Sequence, residues 1–132
     1  MHRQSVAVYD RFLSALSSIL SKAEAHCEAR KIKPEVILAA RLFPDMFPLT
    51  KQVQLACDFA CRGAARLAGQ EPKGFPDTET SFAELQERIA AARGYMASFP
   101  AEDYAKAADR AITIKVGGQD MKFTSFAKDG TV

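Results

Sequence analysis

The chain has 132 residues, enough for one domain with a real core, and its 48% apolar and 26% charged content is that of an ordinary globular protein. A net charge of +2, split as +4 over residues 1–66 and −2 over residues 67–132, is too small to mark a nucleic-acid or membrane-surface partner. No apolar run approaches the roughly 18 residues of a membrane span, and the opening "MHRQSVAVYDRF" lacks the apolar centre of a secretory signal.

From Ser5 to Arg30 the apolar positions are Tyr9, Phe12, Leu13, Leu16, Ile19, Leu20, Ala23 and Cys27. Steps of three and four place them on one broad stripe, which predicts a long amphipathic helix over 5–30. Pro34 suits the first turn of a short helix over 34–42, because proline lacks the amide donor that would be unpaired there. Pro44 disfavours helical geometry at Phe43 and ends it. In "ARLFPDMFPL" Asp45 is then the expected cap of a third helix over 46–67, with Pro48 inside its first turn. Phe43, Met46, Phe47 and Leu49 are expected in the core at this corner. The third helix has a small central face of Ala56, Ala60, Gly63 and Ala64, which lets a neighbour approach closely.

Residues 68–80, "AGQEPKGFPDTET", read as a loop from their glycines and prolines. Ser81 and Glu84 have capping-box spacing and open a helix over 81–99. Its apolar face is Phe82, Leu85, Ile89, Ala92, Met96 and Phe99, and Pro100 stops it. Alternation of Ile112, Ile114 and Val116, then Met121 and Phe123, around Gly117-Gly118 predicts a β-hairpin over 111–124. A polar tail, 125–132, follows. The fold expected is one mainly α domain, 1–132: three long helices, a short one and a C-terminal hairpin.

Three long stripes make an incomplete bundle, since antiparallel helices usually close as four. A fourth helix giving six core side chains at ~2 kcal/mol each would be worth ~12 kcal/mol, comparable to a typical domain's whole stability. An open apolar face predicts self-association, most simply a homodimer.

The segments "SALSSILSKAEAH", "ARLFPDMFPLTKQVQLACDFACRGAARLAG" and "DTETSFAELQERI" resemble a bacterial family of unknown function in the DinB-like and YfiT-like four-helix-bundle superfamily. The resemblance covers about Ser5 to Thr124 and implies an up-down-down-up bundle. It also implies a final aromatic- and histidine-bearing helix after the hairpin, which is missing here or supplied by a partner subunit. Better-known members bind a divalent metal through three histidines, and some use it in low-molecular-weight thiol transfer. Here the only histidines are His2 and His26, so that chemistry is not carried over.

Of the candidate sites, His26, Cys57 and Cys61 have zinc- or nickel-ligand chemistry but no ligand-pair spacing such as C-x-x-C. The competing reading makes the cysteines small buried hydrophobes. An odd count of three without an export signal argues for reduced thiols in a cytoplasmic protein. Arg41 and Asp45 could bind an anion or act as an acid–base pair, against the commoner reading of an ion pair bracing the corner; with Phe47 and Gln52 they are the candidate ligand site. Glu84, Glu87 and Arg88 read as a solvated helix face, and Asp77 and Glu79 as ordinary loop residues. The functional expectation is a non-catalytic bundle that self-associates or binds a small ligand, with no cofactor. Its alternatives are a metal-dependent thiol transferase or hydrolase, and a shortened gene product without activity.

Overall fold

The structure, a computed structural model, describes residues 6–100, 102, 111–116 and 118–124. Helix α1, Val6–Arg30, buries Val6, Leu13, Leu20 and Cys27, one residue in every seven. Tyr9, Leu16 and Ala23 pack half-buried between them, so the seam alternates three and four residues as a helix-to-helix contact requires. It ends on Lys31 at φ 55°, where the Ile32 N–H donates to the Cys27 carbonyl at 2.9 Å. That is a left-handed terminating residue, a conformation glycine adopts at less cost than lysine.

Helix α2, Pro34–Leu38, stops four residues short of the expected boundary. The cause lies downstream. The Leu49 N–H donates to the Ala40 carbonyl at 3.0 Å, and the Thr50 hydroxyl to the Leu38 carbonyl at 3.2 Å. The start of the next helix therefore satisfies carbonyls that a longer α2 would have used.

Helix α3, Leu49–Leu67, begins three residues later than expected, and Asp45 does not cap it. Pro48 occupies the capping position with extended geometry, φ −67° and ψ 164°, and no side-chain cap is made. Proline at 48 disfavours helical geometry at Phe47, so the helix starts only after it. The helix closes as α1 does, with Gly69 at φ 79° and the Gln70 N–H on the Ala65 carbonyl at 2.8 Å. Helix α4, Phe82–Ala97, is capped by Ser81, whose hydroxyl accepts the Glu84 N–H at 3.2 Å. Ser81→Ala should cost about 1 kcal/mol, read as a lowered urea midpoint at constant slope. Phe82, Leu85, Ile89, Ala92 and Met96 are all buried.

Side-chain pairs fix the directions. Asp10 meets Arg93 and Ser17 meets Gln86, so α1 and α4 run antiparallel. Asp58 meets Arg88 and Cys61 meets Ala92, so α3 and α4 run parallel. The three long helices thus run up, down and down, and residues 68–81 must return along the bundle between the two parallel ones. α4 packs along both partners. α1 and α3 touch more sparingly, closest where Tyr9 lies over Gly63, a Cβ on which would sit 2.9 Å from Tyr9 Oη. Strands β1, Ala111–Val116, and β2, Gln119–Thr124, pair antiparallel with Ala111 opposite Thr124 and Val116 opposite Gln119. Residues 125–132 lie outside the described residues, as does Ser5.

Candidate functional site

Three places on the bundle concentrate chemistry or unpartnered surface. The first is the face between α1 and α3. Besides its buried seam, α1 carries a second stripe, Val8, Phe12, Ala15 and Ile19, again at steps of four, three and four. α3 answers with Ala56, Phe59 and Ala60. Together they line an apolar cleft of about 600 Å³ in which none of the described lining residues is charged. Phe12 is 70% exposed, Ile19 59% and Phe59 63%. A helix inside a four-helix bundle needs two seams, one for each neighbour; α1 has both and buries one.

The second place is the corner between α2 and α3. Phe43 and Phe47, expected in the core, are exposed at 67% and 55%, while Met46 and Leu49 are half-buried. The helices turn on backbone bonds at this point, which leaves both aromatic rings more than half exposed. Arg41 does not pair with Asp45. Its Nη1 donates to the Met46 carbonyl at 2.7 Å, while Asp45 is exposed. Gln52 Nε2 donates to the Phe47 carbonyl at 3.4 Å. Arg41, Phe47 and Gln52 line one cavity of about 470 Å³, and Asp45 is not among its lining residues.

The third place lies between α3, α4 and the returning segment. Arg88 is buried, not solvated. Its Nη2 donates to Asp58 Oδ1 at 2.6 Å; its Nη1 donates to Glu79 Oε1 at 2.8 Å and to the Pro76 carbonyl at 2.9 Å. Asp77 completes the set at 3.1 Å and is shared with Lys51. Gln54 Nε2 reaches the other oxygen of Glu79 at 3.1 Å, and the Phe75 ring lies 5.6 Å from the guanidinium carbon. Burial alone would raise Glu79's pKa, but hydrogen bonds from Arg88 and Gln54 outweigh it and hold the carboxyl below its usual range. Asp77 is likewise lowered, first by its bond from Lys51. Arg62 Nη2 also lies 3.8 Å from Asp58 Oδ2. Among the described residues Lys51, Arg62 and Arg88 thus match Asp58, Asp77 and Glu79 charge for charge, as in an internal brace.

Cys57 and Cys61 lie beside this brace and are buried, whereas His26 is exposed on α1. These three residues do not share an environment. Among the described residues no group of three or more His, Cys, Asp or Glu side chains could hold a metal ion. Burial pushes the Cys57 thiol up to about 12 and the Cys61 thiol to about 11. Neither forms the thiolate that nucleophilic chemistry requires at neutral pH. Native protein should therefore leave these two and the equally buried Cys27 unlabelled by a thiol-disulfide reagent, with all three titrating in urea.

A family model described as a domain of unknown function (DUF1993) matches residues 1–129. The chain belongs to the DUF1993 family. It is also similar to a DinB family member protein from Shewanella denitrificans, whose crystal structure was determined at 1.83 Å resolution. The identity is 39% and the TM-score 0.79, over 89% of this chain and 67% of that one. No curated protein matches it. The up-down-down course of this DUF1993 chain is thus a DinB-like arrangement with four described helices. None of them is long and apolar enough to cross a membrane.

Proposed function

We propose that this domain works as a non-catalytic association module, in which the exposed stripes of α1 and α3 pair with the same face of a second copy. The observation that carries this reading is the doubled seam of α1. Positions 8, 12, 15 and 19 repeat the contact spacing of the buried face, yet Phe12 and Ile19 are left mostly in water. In the paired state α1 of the second copy lies along this stripe. A face whose cleft is lined without a charged residue opposes no like charge when it meets its own copy, as a two-fold contact requires. Reduced, buried thiols fit a cytoplasmic setting.

Sedimentation equilibrium from micromolar to hundreds of micromolar protein tests the reading. A mass rising from one chain to two supports it; a single-chain mass across the whole range rejects it.

A further inference from the structure

We propose that the corner cavity is a binding site for a small carboxylate with an apolar tail, a ligand site separate from the α1/α3 face. The cavity, about 470 Å³, falls within the roughly 300–1,000 Å³ of small-molecule pockets. Among the described residues its walls are Ile37, Leu42, Met46, Phe47 and Leu49, and its polar members are Arg41 and Gln52. No acid among the described residues lines it, so the formal charge they supply is the Arg41 guanidinium.

Both polar side chains are positioned before any ligand arrives. Arg41 is tied to the Met46 carbonyl and Gln52 to the Phe47 carbonyl, each through one N–H. A guanidinium has five N–H donors and a carboxamide two, so each keeps donors for an incoming acceptor. A carboxylate is acceptor-only and takes those donors without offering a competing N–H or O–H. The loop is itself latched, by Met46 N–H on the Phe43 carbonyl and Leu49 N–H on the Ala40 carbonyl, both at 3.0 Å. An apolar tail would cover Leu42 and Phe47, which are exposed in the free protein.

The probe is octanoate, followed by calorimetric titration and by amide shifts on the full chain, beside 1-octanol, acetate and anionic phospholipid vesicles. Octanoate should bind saturably and shift amides of residues 37–52. 1-Octanol should bind more weakly, and acetate not detectably. Arg41→Gln, an exposed substitution that leaves the core untouched, should weaken octanoate about tenfold or more while leaving 1-octanol unchanged. Phe59→Ser, on the other face, should change neither. Equal affinity for octanoate and 1-octanol, an unaffected Arg41→Gln variant, or absence of octanoate binding at millimolar concentration would each overturn the proposal. So would shifts confined to α1, or co-sedimentation with vesicles without uptake of free octanoate, which would reassign the corner to a lipid surface.

Discussion

Replacing Phe12 and Ile19 together by serine should turn the proposed dimer into a monomer without loosening the fold. Both side chains are mostly exposed in one protomer, so the core loses little when they shrink. In the paired state each would be covered from outside, and anchors at the centre of an interface cost about 2 kcal/mol or more apiece when truncated. A two-fold pair carries each substitution on both protomers, so the double variant removes four anchors, about 8 kcal/mol in all, and should weaken association by well over about a thousandfold, using ~1.4 kcal/mol per factor of ten. Circular dichroism and the urea midpoint of the monomer should stay at or slightly above their original values. Val36→Ser, an exposed apolar residue that does not line the cleft, is the matched control and should leave the association constant alone. If the double variant associates as tightly as its parent, the interface lies elsewhere.

Removing Arg88 should destabilise the fold as much as truncating a fully buried core side chain. Arg88→Ala strips the partner from Glu79 while leaving that carboxylate largely buried, and it frees the Pro76 carbonyl. Breaking a buried ion pair on one side costs about 3–5 kcal/mol, a large part of a small domain's stability. Lysine should recover little, because one ammonium cannot reach Asp58, Glu79 and the Pro76 carbonyl in the forked geometry the guanidinium uses. Denaturant titration of the three proteins gives the comparison, and an Arg88→Ala cost below about 1 kcal/mol would show the cluster to be incidental.

The same cluster sets an acid response. Glu79 and Asp77 have folded-state pKa values below their ordinary ones. Their stabilisation is complete above the unfolded carboxylate range near ~4 and is lost as pH falls through the depressed folded values. Acidification should thus narrow the stability gap between the parent and Arg88→Ala. A gap that stayed constant down to pH 2 would contradict this account.

The helices were legible because their apolar residues recur at three and four: 82, 85, 89, 92 and 96 on α4 need no knowledge of the neighbours. Arg88 was misread on the same helix. It stands three residues after Leu85 and four before Ala92, on the buried side, but its charge argued for solvent. Its three carboxylates lie on α3 and in the loop before α4, and only the tertiary fold assembles them. The corner failed in the opposite direction. Phe43 and Phe47 were placed inside because aromatic rings usually are, whereas backbone bonds from Leu49 and Met46 set the turn and leave the rings outside. Arg41, Phe47 and Gln52 of the expected group line one cavity. Asp45 did not join them, because Pro48 rather than Asp45 starts the helix.

Because α3 and α4 point the same way, the linker between them has a minimum length. The α3 axis is about 28 Å long at 1.5 Å per residue, and thirteen extended steps from Ala68 to Ser81 reach about 43 Å. The slack amounts to some four residues. Longer excisions would leave the second down-going helix unable to reach its starting end, and the chain's cheapest escape is to enter from the other end and reverse it. Lengthening imposes no such choice. Natural or engineered shortening at this point should therefore stop at about four residues, whereas additions meet no such limit.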